Sequence, residues 1–163
     1  MSKIMEERQK YKQTIIPEVS TDGWKGLSLI EIRNKTFAYY CSHYLNSEKR
    51  VKNKDTGIIV EFEKQGARKV AHGGYVYPEK MCLVQILEEM IRHAKYSNWG
   101  ERKEKDPPKV LGYLNFNAKV KIDGKIEYVH LIIRVSSNGK FHYSMEVNIL
   151  ENKKTVRFTV ADV

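Results

Sequence analysis

The residues best suited to acid–base and phosphate chemistry lie between positions 111 and 150. His130 and His142 could transfer protons near neutral pH, because the pKa of an unperturbed imidazole is about 6.5. Arg134 could hold a phosphate oxygen, and Glu146 could orient an imidazole. The same stretch contains three further polar candidates, Tyr113, Asn117 and Lys119. Whether these groups meet depends on the strands that carry them.

The first strand and turn of this stretch predict one set of neighbours. Residues 111–122 alternate between apolar and polar side chains, which is typical of a strand with one buried face. Asp123-Gly124 then favours a two-residue type I′ turn. The turn and the apolar pattern agree on one register. The predicted pairs are Ile122 with Lys125, Lys119 with Tyr128, Ala118 with Val129, Asn117 with His130, Phe116 with Leu131, Leu114 with Ile133 and Tyr113 with Arg134.

The second turn predicts where the third strand lies. A two-residue loop, Asn138-Gly139, would pair Val135 with His142 and force a histidine into the core. A three-residue loop from Ser137 to Gly139, with glycine in the left-handed conformation, avoids this. It pairs Val135 with Phe141, Ile133 with Tyr143 and Leu131 with Met145, and it aligns His142 with Arg134 and Tyr113, and Glu146 with His130 and Asn117. The alternative for any single residue is an ordinary solvated sheet position.

Composition limits the possible partners and compartments. The chain has 163 residues and a formal charge of +9, which favours a polyanionic partner, nucleic acid first and an anionic membrane surface second. No apolar run approaches the ~20 residues of a membrane span, and the N-terminus lacks the apolar core of a signal peptide. We therefore expect a cytoplasmic protein that does not contact membranes. We expect Cys41 and Cys82 to be free thiols. The sequence contains no spacing of cysteines and histidines that is typical of a metal site, so we expect no metal or cofactor.

The remaining sequence predicts an α+β fold with N-terminal helices, an antiparallel meander of three to four strands, and helices packed on one face of that meander. The predicted domains are a helical extension, residues 1–50, and an α+β unit, residues 51–163, together one compact body. The predicted elements before the meander begin with a short helix at 1–12 and a connector at 14–26. One helix, or two short ones, then runs from the capping box Ser28/Glu31 to about Asn46. A basic linker at 47–55, a strand at 58–62, helices at 63–71 and 79–95, and a charged loop at 96–109 follow, and a further strand is predicted after the meander at 155–160.

Two of these segments carry candidate RNA-binding residues. The helix at 63–71 would align Lys64, Arg68 and His72, with Lys69 adjacent, before a Gly-Gly turn that suits a phosphate. A solvated helix face is the alternative. In the loop at 96–109, Trp99, Arg102 and Lys103 could stack on and clamp RNA, although Trp99 could instead cover an edge of the core.

The order of helices, strand, helices and polar meander resembles the barnase/EndoU/colicin/RelE-like ribonuclease fold. The segments closest to its phage- and polymorphic-toxin-associated branch are Thr56-Gly57, Gly66-Ala67-Arg68-Lys69, the helix at Leu83, Gly112-Tyr113-Leu114-Asn115-Phe116 and Gly139-Lys140-Phe141-His142-Tyr143. The resemblance covers roughly residues 56–150. It implies metal-independent cleavage of RNA by attack of the ribose 2′-hydroxyl, leaving a 2′,3′-cyclic phosphate.

The resemblance also implies a role for each polar residue of the sheet. His130, held by Glu146 or Asn117, would be the base, His142 the acid, Arg134 and Lys119 the groups that stabilise developing charge, and Tyr113 a hydrogen-bonding or stacking group. A nuclease toxin of this kind would have an acidic neutralising partner protein. The alternatives are a non-catalytic nucleic-acid-binding or phage-encoded regulatory protein, and a protein inhibitor of a host or phage enzyme.

Overall fold

The protein is described by a computed structural model, in which residues 11–64, 77–151 and 154–155 are placed, with side chains up to residue 143. The elements of this part of the chain are β1 (Glu18–Val19), α1 (Leu29–Tyr40), β2 (Arg50–Lys52), β3 (Ile59–Glu61), α2 (Pro78–Met81), α3 (Leu87–His93), β4 (Lys95–Glu101), β5 (Val110–Ile122), β6 (Lys125–Ser136), β7 (Phe141–Glu151) and β8 (Lys154–Thr155). A π-helical turn, Cys41–Leu45, extends α1, and a 3₁₀ turn, Cys82–Ile86, joins α2 to α3.

One mixed sheet organises these elements. The antiparallel meander β5–β6–β7 forms its centre, as predicted. On one side β3 pairs in parallel with β7 and β2 pairs with β3, while β8 pairs with the far end of β7. On the other side β5 pairs with β4 and, near its C-terminal end, with β1. The α+β class is therefore confirmed, and the meander is extended on both sides by shorter strands.

The two predicted hairpin turns are confirmed. Asp123 and Gly124 have φ angles of 50° and 80°, as a type I′ turn requires, and every predicted β5–β6 pair is present. The second loop has three residues, with Gly139 at φ 81° and its N–H donating to the carbonyl of Ser136. Arg134 consequently faces His142, as predicted. Local turn chemistry was sufficient to fix both registers near the turns.

Farther from the second turn the predicted register is wrong. Ile133 faces Tyr143 as expected, but Leu131 faces Val147 and not Met145. From Ile133 to Leu131 β6 advances two residues, whereas β7 advances four between Tyr143 and Val147, so β7 contains two extra residues. An even insertion preserves the alternation of faces, which is why the apolar pattern gave no sign of it. His130 therefore faces Asn148, and Glu146 lies outside its row.

The helix predictions are confirmed in part. The Ser28/Glu31 capping box begins α1, and the helical path continues to Leu45. The predicted helix at 79–95 is instead α2, the 3₁₀ turn and α3, and it ends at His93, because Ala94 takes an extended conformation with ψ 146° and leads into β4. The predicted helix at 1–12, that at 63–71 and the strand at 155–160 lie largely outside the described residues.

Three short strands lie where the sequence predicted a connector, a linker and a loop. β1 and β2 each bury one side chain, Val19 and Val51, and β4 consists mostly of polar residues. Such strands have too few apolar positions for alternation to appear. Backbone pairing holds them in place, β1 and β4 against the longer β5, and β2 against β3.

The helices cover one face of the sheet and form the core with it. Leu83, Leu87, Met90 and Ile91 of the helical segments are buried, as their spacing predicted. The opposite side of the sheet, here called the outer face, carries the polar positions of β5 and β6. None of the helices in the described residues is long and apolar enough to cross a bilayer.

Candidate functional site

A row of polar residues crosses four strands on the outer face. Tyr113 of β5 faces Arg134 of β6, Arg134 faces His142 of β7, and His142 faces Glu61 of β3. The first three were predicted to share this row. Glu61 was missed, because its position depends on the parallel pairing of β3 with β7, which no local turn specifies.

His142 lies between two carboxylates. Its Nδ1 is 3.2 Å from Oε1 of Glu63, and its Nε2 is 3.7 Å from Oε2 of Glu61. Arg134 donates through Nη2 to the other oxygen of Glu63. Glu61, Glu63, Arg134 and His142 are called the His142 cluster below. Arg50 of β2 extends it, with Nε 3.7 Å from Oε1 of Glu61.

The His142 cluster is largely withdrawn from solvent. His142 is 8% exposed, and the side chain of Arg134 is 12% exposed. Burial lowers the pKa of His142 below its ordinary value; Glu63 opposes this shift, and Arg134 adds to it. The imidazole is therefore neutral near pH 7 and able to accept a proton. Among the described residues, Nδ1 of His142 and Nε of Arg134 have no aligned hydrogen-bond partner.

Tyr113 is turned towards the loop between β4 and β5. Its hydroxyl donates to Oδ2 of Asp106 at 2.7 Å, and the same oxygen accepts the backbone N–H of Lys103. Burial raises the pKa of Asp106, but these hydrogen bonds outweigh it and lower the pKa below its ordinary value. Asp106 was not predicted as part of the site.

His130 belongs to a second polar group on the outer face. Its Nε2 lies 2.8 Å from Oδ1 of Asn115, whose amide donates to the carbonyl of Asn98. Exposed Asn117 faces His130 from β5, as predicted. Because four residues separate His130 from Arg134 on β6, the two lie ~13 Å apart along the strand.

The structure therefore does not bring the two predicted catalytic histidines together. An acid and a base acting on one phosphodiester must both reach oxygens bound to the same phosphorus. His142 has two carboxylates and a guanidinium beside it, whereas His130 lies in a different row of the outer face. Lys119 is farther still, ~20 Å along β5 from Tyr113 by strand rise.

The remaining predicted site residues have separate surroundings. Arg102 donates to the carbonyls of Asp106, Pro107 and Val110, so its guanidinium holds the β4–β5 loop. Trp99 lies on β4 against Gly112 and is 40% exposed. Glu146 is placed in β7 without a described side chain, and the predicted positions Arg68, Lys69 and His72 lie outside the described residues.

Within the described residues, no group of three or more His, Cys, Asp or Glu side chains has an arrangement that could hold a metal ion. Cys82 is buried and Cys41 is partly buried, and both are free thiols. The chemistry available in the His142 cluster is thus proton transfer at an imidazole and binding of negative charge by a guanidinium.

Comparison with known proteins gives a family but no close relative. No curated protein and no solved structure matches the chain. A family model described as Large polyvalent protein-associated domain 3 matches residues 30–143, which is more than half of the chain. Domains of this kind are associated with polyvalent, toxin-like proteins, in agreement with the phage- and toxin-associated branch that the sequence resembles, while the barnase-like nuclease fold stays a prediction. The chain belongs to the family Large polyvalent protein-associated domain 3.

Proposed function

We propose that this protein is a toxin- or phage-associated endoribonuclease that acts without a metal and uses the His142 cluster. The observation that carries the proposal is the position of His142, held between Glu61 and Glu63 with Arg134 beside it. A neutral imidazole, carboxylates that stabilise its protonated form and a guanidinium for a phosphate are the groups that RNA transesterification needs.

In the proposed reaction the imidazole of His142 removes the proton of a ribose 2′-hydroxyl. The 2′-oxygen forms a bond to the adjacent phosphorus, and the bond from phosphorus to the 5′-oxygen breaks. The imidazolium returns its proton to the leaving 5′-oxygen, so no net proton is gained or lost. Glu63 stabilises the imidazolium, in the way that a carboxylate supports histidine in hydrolase triads. Arg134 stabilises the negative charge of the phosphorane.

Two further properties support the proposal. The net charge of +9 suits a polyanionic substrate, and the family is associated with toxin-like proteins. The same charge suits an acidic neutralising protein, which we propose as the partner that covers this face.

The test is an RNA cleavage assay in the presence of a chelator, with the product ends analysed. The wild type is expected to produce 2′,3′-cyclic phosphates. His142→Ala should lose about 10²–10⁴-fold in rate, the usual contribution of a proton-transfer residue, and Arg134→Ala about 10²–10³-fold, that of one charge-stabilising donor. His43→Ala removes an exposed histidine of the π-helical turn that follows α1 and serves as the control. Circular dichroism and thermal unfolding show whether each variant folds. Intact RNA with a folded wild type would contradict the proposal.

A second candidate is a non-catalytic nucleic-acid-binding protein. The observation that favours it is the burial of His142 and the pairing of both Arg134 and His142 with Glu63, which is also what a purely structural ion pair would look like. In that case neither the wild type nor Glu63→Gln cleaves RNA, and Glu63→Gln lowers only the thermal stability. RNA binding would persist with intact RNA.

A further inference from the structure

The outer face carries an exposed tyrosine that the proposed reaction does not use. Tyr128 of β6 is 50% exposed, so half of this large aromatic side chain is open to solvent. It lies opposite Lys119, whose Nζ is 5.9 Å from the centre of the ring. Strand alternation places Tyr128 on the same face as His130 and Arg134.

Hydrogen bonds hold the backbone of Lys119 and the ring of His130 near Tyr128. The side-chain amide of Gln13 donates to the carbonyl of Lys119 and accepts its N–H, at 2.8 and 2.7 Å, in the same way as a paired strand. His130 is fixed by Asn115, and exposed Asn117 faces it. An aromatic ring, a cation and an amide therefore lie side by side on the outer face.

We infer that Tyr128 is a stacking subsite for a base of single-stranded RNA, with Lys119 at the neighbouring phosphate and Asn117 at the edge of a base. The subsite adds a binding position to the proposed function. The choice of RNA as its nucleic acid rests on that proposed function. Nucleic acid is favoured as the occupant because the exposed side chains here are aromatic, amide and cationic, and the whole chain is strongly basic. Base stacking on an aromatic ring tolerates any sequence, because every base has a π face.

The subsite lies at a distance from the proposed reaction centre. Tyr128 and Arg134 are six positions apart on β6, a span of ~20 Å. Stacked nucleotides rise by ~3.4 Å each, so about six nucleotides bridge the two positions, and fewer when the strand is extended. Tyr128 should consequently contribute to the binding of a twelve-nucleotide strand and not to the cleavage of a dinucleotide.

The experiment uses a fluorescent twelve-nucleotide 2′-O-methyl RNA, which lacks the attacking hydroxyl and cannot be cleaved by this route. Fluorescence anisotropy with the full chain gives its Kd. We expect Tyr128→Ala to raise the Kd by about 5- to 100-fold and Tyr128→Phe to bind like the wild type, because stacking needs the ring and not the hydroxyl. Leu111→Ala removes another exposed apolar side chain, 50% exposed, and should leave the Kd unchanged.

The role of Lys119 is tested in the same assay by salt dependence. Lys119→Ala should reduce the slope of log K against log salt by about 0.7, the value for one phosphate of a single strand. Lys125→Ala removes the same charge from an exposed position beside the type I′ turn and should give a smaller change.

Each outcome either supports or overturns the subsite. Loss of affinity in Tyr128→Ala with recovery in Tyr128→Phe supports it. Equal affinity in the wild type and Tyr128→Ala overturns it, as does a Tyr128→Phe variant as weak as Tyr128→Ala. Cleavage of long RNA that is indifferent to Tyr128 would remove the subsite and leave the ribonuclease proposal intact. Tyr128-dependent binding without any cleavage would remove the ribonuclease proposal and leave the subsite.

Discussion

At the scale of single residues, His93 and His142 are the buried histidines of the described part of the chain. Burial lowers the pKa of each. Lys54 adds to the shift at His93 and Glu89 opposes it, whereas at His142 Glu63 opposes it and Arg134 adds to it. The folded state therefore favours the neutral form of both imidazoles. The free energy of unfolding should consequently depend on pH.

The expected pH dependence follows from proton uptake. Between the lowered pKa of the folded state and about 6.5 in the unfolded chain, the unfolded state binds more protons. The stabilisation is thus complete above pH ~6.5 and decreases as the pH falls below it, by at most about 1.4 kcal/mol per pH unit for each histidine. Denaturant unfolding at pH 7.5, 6.5 and 5.5 measures this dependence.

Substitutions separate the two contributions. His93→Gln and His142→Gln should each flatten the dependence between pH 6.5 and 5.5, while His43→Gln, at an exposed position, should keep the wild-type dependence. Equal slopes in all four proteins would show that neither buried histidine is responsible.

Gly112 lies so close to the ring of Trp99 that there is no space for a side chain at position 112. A Cβ atom at this position would lie 2.2 Å from Cζ2 of Trp99 and 2.7 Å from the carbonyl oxygen of Gly100. Gly112→Ala should therefore displace the ring or β4, at a cost of about 1–3 kcal/mol. Denaturant unfolding of Gly112→Ala, Trp99→Ala and the double variant tests the cause. If the ring is responsible, alanine at 112 costs less in the Trp99→Ala background, whereas strictly additive effects would rule the ring out.

At the scale of secondary-structure elements, Asn53 joins the β2–β3 turn to the end of α3. Its amide donates to the carbonyls of Ile91 and Ala94 at 2.7 and 2.9 Å, and its Oδ1 accepts the backbone N–H and hydroxyl of Thr56. The residue is 1% exposed, so the bonds are made away from water. They satisfy carbonyls that a helix end leaves without intrahelical partners.

Asn53→Ala should be strongly destabilising. The substitution removes the donor that two buried carbonyls have in the wild type. Each carbonyl left unpaired lowers the free energy of unfolding by about 1–3 kcal/mol. Because water can hydrate part of these groups, we expect a total loss of about 2–4 kcal/mol. Asn53→Asp keeps the acceptor but removes both donors, so it should be no better than alanine. Lys52→Ala, at an exposed neighbouring position of β2, should change stability by less than about 0.5 kcal/mol. A small effect of Asn53→Ala in denaturant unfolding would contradict the proposed link.

The same scale explains which parts of the site the sequence could predict. Tyr113, Arg134 and His142 were placed in one row because two tight turns determine their pairing. The second turn is close to Arg134 and His142, and the register set by the first continues for ten residues to Tyr113 and Arg134. Glu61 reaches the row through a parallel pairing between segments some eighty residues apart in the chain. No local turn sequence predicts such a pairing, because parallel strands are not joined by a tight turn. The separation of His130 from Glu146 arises from two extra residues in β7, which leave the alternation of faces unchanged.

At the scale of the whole molecule, the helices cover one face of the sheet and leave the other to polar side chains, while the chain carries nine net positive charges. Both proposals place RNA on the outer face, and the main alternative is a protein-binding surface. The two classes of partner differ in how strongly binding depends on salt. Binding of a polyanion releases condensed counterions, whereas binding of a protein depends mainly on apolar burial and local polar contacts.

Salt dependence therefore distinguishes the two classes. If the outer face contacts three to four phosphates of a single strand, log K for the twelve-nucleotide 2′-O-methyl RNA should fall with log salt at a slope of about −2 to −3. Between 50 and 200 mM salt this corresponds to a loss of affinity of about 20- to 60-fold. Anisotropy titrations at four salt concentrations measure the slope, and Lys12→Ala, at an exposed residue of the N-terminal segment, controls for net charge alone. A slope near zero with measurable binding would mean that phosphates are not contacted, and the outer face would then be better explained as a surface for another protein.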